Sequence, residues 1–79
     1  MKLEEIIEVR DKVAKLLPEY LVTCEWMKSK EQFVVVMRTK DEKWTQVAGF
    51  GNEPPSENHL KNVAEKFKFD LKRGYSLAN

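Results

Sequence analysis

The sequence has few of the residues on which small proteins rely for special chemistry. Its 79 residues include one cysteine, one histidine, three glycines and three prolines. The single cysteine, Cys24, cannot close an intramolecular disulfide, and the charged N-terminus has no apolar stretch of signal-peptide length, so a reducing cytoplasmic location is predicted. The longest uncharged apolar run, "FVVVM", is far too short to cross a bilayer, and no membrane span is expected.

An excess of charge of one sign is also lacking. Fourteen Lys and Arg stand against 13 Asp and Glu, and the isoelectric point is near 7.8. Nucleic-acid-binding domains more often have an isoelectric point above about 9 or a clear basic stripe, so overall charge supplies no strong attraction to phosphate. With 42% hydrophobic and 34% charged residues, the composition predicts one ordered domain over residues 1–79, just large enough for a single core.

Groups for catalysis or metal binding are too few to form a site. Cys24 is expected as an inert thiol packed in the core. His59 falls in the first turn of a predicted helix, where the helix dipole disfavours the imidazolium, and it has no evident partner. No Cys/His cluster has metal-ligand spacing, and no glycine-rich phosphate loop is present. We therefore predict a protein without catalytic activity, metal or cofactor.

The hydrophobic periodicity changes from helical to alternating and back again. Apolar residues recur at helical spacing from Leu3 to Leu17, and Pro18 ends this first helix. Residues 20–27 alternate, and the dense segments "FVVVMRT" and "WTQVAGF" follow after polar turns. A second helix is predicted from the N-cap Ser56 to the C-terminal glycine, Gly74.

The two turns predict a strand register. If their tips are residues 29–30 and 41–42, Trp26 faces Phe33, and Val35 faces both Cys24 and Ala48. All aromatic residues of the strands then share one face, and this agreement supports the pairing, since a one-residue slip would reverse every side chain. The predicted fold is α+β in the order α-β-β-β-α, with a three-stranded antiparallel meander and both helices on one face.

Four segments carry a resemblance to a known family. "LPEYLV", "FVVVM", "GFGN" and "LKNVAEKF" resemble, in this order, successive segments of the double-stranded RNA-binding domain, over most of the chain. The resemblance implies recognition of duplex RNA by shape and backbone contacts. It assigns RNA contacts to the turn between the first two strands, at Lys28 and Lys30, and to the start of the second helix, at Asn58 and Lys61. Glu57 stands where the family carries a lysine, and a carboxylate opposes phosphate binding.

The face of the sheet turned away from the helices points to a different function. The predicted register places Val34, Val36 and Val47 side by side there, with Arg38 at the border, and Phe69 lies on the helix side opposite the apolar stripe. An apolar patch with a charged rim is typical of protein association. We therefore predict an adaptor-type or inhibitor-type protein-binding module, whose partner is another protein or a second copy of the chain. An ordinary β-rich outer face and RNA binding are the alternatives.

Overall fold

The computed structural model describes residues 1–73 and has two helices and three strands. These are α1 (Leu3–Leu16), β1 (Leu21–Met27), β2 (Gln32–Arg38), β3 (Thr45–Gly49) and α2 (Glu57–Lys72). The strands form one antiparallel sheet in the order β1-β2-β3. The predicted α-β-β-β-α order is confirmed, while the predicted helix-ending Gly74 lies outside the described residues.

Residues next to the helices determine where α1 begins and ends and where α2 begins. At the start of α1, the backbone N–H of Lys2 donates to the Glu5 carboxylate at 2.8 Å. At its end, Pro18 stops the helix, because proline has no backbone N–H for the next helical hydrogen bond. Ser56 is the N-cap of α2, and its Oγ accepts the backbone N–H of His59 at 3.1 Å. This bond satisfies one of the unpaired donors of the first helical turn, as predicted from the sequence.

The strand register also agrees with the prediction. Trp26 lies opposite Phe33, and Val35 lies between Cys24 on one side and Ala48 on the other. The two turns reach this register through left-handed backbone at Glu31, with φ of 50°, and at Glu42, with φ of 60°.

Thr39 and Asp41 organise the second turn. The Thr39 N–H donates to the Trp44 carbonyl at 3.1 Å, and the Thr39 hydroxyl donates to the Asp41 carboxylate at 2.6 Å. The same carboxylate oxygen accepts the Lys43 N–H at 3.1 Å. These bonds hold the pKa of Asp41 below its usual value, with the Thr39 hydroxyl as the main cause. Side chain and backbone together therefore fix the register between β2 and β3.

The core lies between the sheet and the two helices. We call the sheet face that carries Val35 and Met37 the inner face, and the opposite one the outer face. The buried apolar residues that both helices and the inner face contribute to one cluster are Ile6, Val9, Val13, Leu17, Val35, Met37, Leu60, Ala64 and Phe67. Phe67 is fully buried, and Tyr20 meets its ring edge-on with 5.1 Å between centroids. Both helices therefore cover the same face, as predicted.

Asp70 is a buried acid that ties α2 to β3. One of its carboxylate oxygens, Oδ2, accepts the Gln46 amide at 2.7 Å and the Lys66 ammonium at 2.8 Å. These donors, first Lys66 and then Gln46, hold the pKa of Asp70 below its usual value. Since the Gln46 side chain belongs to the sheet, the ionised Asp70 joins the C-terminal half of the helix to the third strand.

The depressed pKa of Asp70 predicts an acid-sensitive fold. Its stabilising contribution is complete above the pKa of an unfolded Asp, about 3.9, and is lost as the pH falls through the lower folded pKa. Urea unfolding at pH values from 6 to 2, followed by circular dichroism, should show the wild-type free energy of unfolding falling more steeply than that of Asp70→Asn. Glu65→Gln, which removes an exposed carboxylate of α2, is the control. Identical slopes for wild type and Asp70→Asn would contradict the assignment.

Candidate functional site

The outer face carries four of the five residues predicted to bind a partner. Val36 lies directly opposite Val47, Val34 lies opposite Gly49, and Arg38 follows on the same side of β2. The structure therefore brings the three valines together as predicted. Their exposure differs, because Val34 and Val36 are only 2% and 4% exposed, whereas Val47 is 49% exposed. Val47 is the member of this triplet that a partner can reach.

A polar network lies across the outer face beside Val36. The Arg38 guanidinium donates to the Glu25 carboxylate at 3.0 Å and to the Thr23 hydroxyl at 3.5 Å. The Thr23 hydroxyl in turn donates to Glu25 at 3.2 Å. Because Val36 pairs with Thr23 and lies between Arg38 and the position opposite Glu25, the arginine side chain passes over this valine. The network thus covers Val36 and forms a polar border on the β1 side of the exposed Val47.

The Gln32 side chain lies beside Val34 on the outer face, as Arg38 lies beside Val36. A Cβ atom placed on Gly49 would come within 2.8 Å of the Gln32 amide nitrogen and 3.7 Å of Val34. The Gln32 amide therefore lies over the glycine, beside Val34. Gly49→Ala requires only a shift of this flexible side chain, so Gly49 gives room to Gln32 rather than to a sharp turn.

Phe69 belongs to a different surface. It is 57% exposed on α2, and the Arg73 guanidinium lies 5.4 Å from its ring centroid, a cation–π distance. Because α2 packs on the inner face, Phe69 is separated from Val47 by the thickness of the domain. The five predicted contact residues do not form one continuous patch.

Trp26 is an exposed aromatic residue, although the sequence pattern predicts it only as a member of the inner face. It is 55% exposed, and its ring meets Phe33 edge-on at 5.0 Å. The helices leave this end of the inner face open. Its position next to the end of an edge strand is the one sequence signal that would have indicated this exposure.

The sequence pattern does not predict the basic groove that lies between the two helices. Lys12 and Lys15 of α1 and Lys61 of α2 surround a groove of about 230 Å³ whose floor is Leu16 and Leu60. Glu57 is the one acid among residues 1–73 that lines it. Among the residues predicted to contact RNA, only Lys61 lines this groove.

The remaining RNA candidates lie on exposed turns. Lys28 and Lys30 are in the turn between β1 and β2, and Asn58 is in the first turn of α2. Val34 near the start of β2 pairs with Gly49 at the end of β3, so the β1–β2 turn and the start of α2 lie at the same end of the sheet. The structure thus places Lys28, Lys30 and Asn58 at one end of the sheet. Asn58 adjoins Glu57, which lines the groove together with Lys12 and Lys15 of α1.

Cys24 lies on the inner face of the sheet, and His59 lies in the first turn of α2. Cys24 is a free, half-buried thiol packed against the core. The His59 ring lies against Phe50, with 5.6 Å between centroids. Within residues 1–73, no group of three or more His, Cys, Asp and Glu side chains is placed to hold a metal ion.

Comparisons with known proteins return no match to a protein-family model, a curated protein or a solved structure. Neither helix of the part that the structure describes is long and apolar enough to cross a membrane.

Proposed function

We propose that the chain is a small protein-binding module without catalytic activity, of the adaptor or inhibitor type, which acts through the outer face of its sheet. The observation that carries the proposal is the exposure of Val47 beside the buried Val36, on a face that neither α1 nor α2 covers. The free thiol of Cys24 fits the reducing cytoplasm in which we place the protein.

The chemistry of this face resembles the centre and rim of a protein interface. Val47 offers apolar area, and covering its exposed half contributes about 1 kcal/mol, roughly half of the value for burying a whole valine side chain. Arg38 and Glu25 hold each other at the border, so a partner meets ordered charges there. In such an interface, water is excluded from the apolar centre, and the charged rim orients the partner.

Substitution of Val47 by Glu tests the proposal. Immobilised wild-type chain is expected to retain a specific protein from a cell extract, and Val47→Glu chain is expected not to retain it. A carboxylate at the centre of the contact would have to lose its water, and this is costly unless a cation or hydrogen-bond donor pairs with it. Asn62→Glu, with the same charge change on the exposed side of α2, is the matched control and should retain it. Bound protein is quantified by mass spectrometry. Equal retention by wild type and Val47→Glu, or equal loss by the control, contradicts docking at this face.

Duplex RNA binding is the second candidate function, and a separate observation favours it. Lys12 and Lys15 come together with Lys61 around one groove. Two further cations therefore lie beside Lys61, the lysine that the resemblance to the RNA-binding family assigns to RNA contact. None of these three lysines takes part in an ion pair found among residues 1–73, where the paired cations are Arg10, Arg38, Lys66 and Lys68. Lysines that are not held in ion pairs are available to phosphate, and Glu57 is the acid in the groove that opposes such binding.

Titration of a duplex RNA at two salt concentrations tests this second candidate. Phosphate contacts release counterions, so the logarithm of the association constant should fall with the logarithm of salt concentration, and removal of one phosphate-binding lysine should reduce the slope by about 1. Lys15→Gln and Lys61→Gln are expected to reduce it, whereas Lys40→Gln, in the β2–β3 turn, should not. Absence of binding at low salt, or binding without salt dependence, rules out phosphate recognition.

A further inference from the structure

In the part of the chain that the structure describes, the outer edge of β1 is an unprotected strand edge. Within residues 1–73, β1 pairs with β2 alone. Natural edge strands are usually protected by lysine, proline, a bulge or a very short length. The seven residues of β1, "LVTCEWM", contain neither lysine nor proline, and their single charge, Glu25, is bound by Arg38 of the same chain. This edge is open to pairing with another strand.

The backbone groups that face this open edge follow from the hydrogen-bond alternation. The Thr39 N–H points toward β3, since it donates to the Trp44 carbonyl. Bonding direction alternates along an antiparallel strand, so the even-numbered residues of β2 bond to β1. Their partners on β1 are Leu21, Thr23, Glu25 and Met27. The residues left with outward-facing N–H and C=O groups are therefore Val22, Cys24 and Trp26.

We propose that a second copy of this chain pairs with β1 through this edge, antiparallel, about a two-fold axis at Cys24. The two three-stranded sheets then become one continuous sheet, with all helices on one side and the two outer faces joined on the other. This interface is distinct from Val47 and does not depend on the proposed outer-face docking.

Pairing about Cys24 gives both exposed apolar residues of β1 an apolar neighbour. Positions whose numbers sum to 48 lie opposite each other, so Leu21 faces Met27 of the second copy and Trp26 faces Val22 of the second copy. Leu21 and Trp26 are both among the exposed large hydrophobic residues. Aromatic and β-branched pairs are among the favourable cross-strand contacts. The exposure of Trp26 in the single chain is removed in the pair.

Charge selects the same register. Glu25 faces the hydroxyl-bearing Thr23 of the second copy, and Glu19, which precedes β1, comes alongside the turn with Lys28 and Lys30. An axis at Glu25 would place two Glu25 side chains opposite each other, and like charges directly opposite are destabilising. An axis at Thr23 would place Leu21 against Glu25. The Cys24 axis is the one among these three that matches apolar with apolar residues and acid with base.

Sedimentation velocity from low-micromolar to millimolar chain concentration tests the pairing and its register. The wild-type chain is expected to dimerise, and Leu21→Lys and Met27→Glu should each raise the dissociation constant by about tenfold or more, since each change alters two symmetric contacts. The double variant should recover most of the affinity, because the introduced ammonium of one copy then faces the introduced carboxylate of the other. Circular dichroism checks that each variant is folded.

Asn62→Lys, on the exposed side of α2, is the control and should leave dimerisation unchanged. Val47→Lys distinguishes the β1 edge from an interface on the outer face. A wild-type chain that remains monomeric throughout the range overturns the proposal. So does a double variant that is no tighter than the single ones, or a Leu21→Lys chain that dimerises more tightly, as the Thr23 axis predicts. Dimerisation that Val47→Lys abolishes would place the interface on the outer face instead and would also overturn it.

Discussion

Phe67→Ala is expected to lower the free energy of unfolding by about 4 kcal/mol, the middle of the range for a buried phenylalanine. Its ring is fully buried between the helices and the inner face, and it packs against Tyr20. Small domains have only about 5–15 kcal/mol of stability, so this one change removes much of the margin. Urea unfolding followed by tryptophan fluorescence measures it. Phe67→Leu, with a smaller expected loss of about 1 kcal/mol, keeps the site measurable if the alanine variant does not fold.

Phe69→Ala is the matched control on the same helix. Phe69 is exposed, and its ring contacts the Arg73 guanidinium, an interaction worth about 0.5–1 kcal/mol at an exposed site. The two substitutions remove the same ring from positions two residues apart, so most of the difference between their free energies of unfolding reports burial. Similar losses at both positions would show that α2 does not pack on the sheet through the Phe67 side.

Val36→Glu is the second substitution with a large expected effect, about 3–5 kcal/mol of destabilisation. It places a carboxylate in a buried position, where it competes with Glu25 for the single Arg38 guanidinium and leaves one of the two acids without a partner. Val36 is buried beside Thr23 and Val47, although it belongs to the outer face. Val47→Glu, on the neighbouring strand, should change the stability by less than about 1 kcal/mol, since about half of that side chain is already in water. Thermal and urea unfolding of the two variants are the measurements.

The contrast between these two valines also decides how docking must be tested. A Val36→Glu chain that loses a partner is also strongly destabilised, so the loss alone does not identify the contact surface. Val47→Glu removes the contact and leaves the domain intact. If instead both substitutions were tolerated equally, the outer face would be fully open and Val36 would return as a contact residue.

The strand register was predictable because it depends on local sequence. The alternation of Trp26, Cys24 and Val22 along β1, together with two short polar turns, leaves few alternatives for pairing with β2, and the apolar spacing of α2 places its buried side. These signals have the period of the secondary structure itself. The α-β-β-β-α order and the placement of both helices on one face follow from them.

The surfaces were less predictable because they depend on long side chains and distant contacts. The burial of Val36 reflects the path of Arg38 back to Glu25, thirteen positions apart along the chain, and no periodicity encodes a rotamer. Asp70 meets Gln46 across twenty-four positions and looks in sequence like any polar helix residue. The lysines of α1 and α2 gather only because the two helices cross, an angle that packing decides.

A photo-crosslinking residue at position 47 gives the most direct test of docking through the outer face. In a cell extract, chain that carries this residue in place of Val47 should form one defined covalent adduct with a partner protein. An excess of wild-type chain should suppress the adduct by competing for the partner, whereas an excess of Val47→Glu chain should not. The same residue at Asn62, on the exposed side of α2, should give no such adduct. Docking through Val47 predicts suppression by the wild-type chain alone. An adduct absent at position 47, or equally suppressed by Val47→Glu, would contradict it.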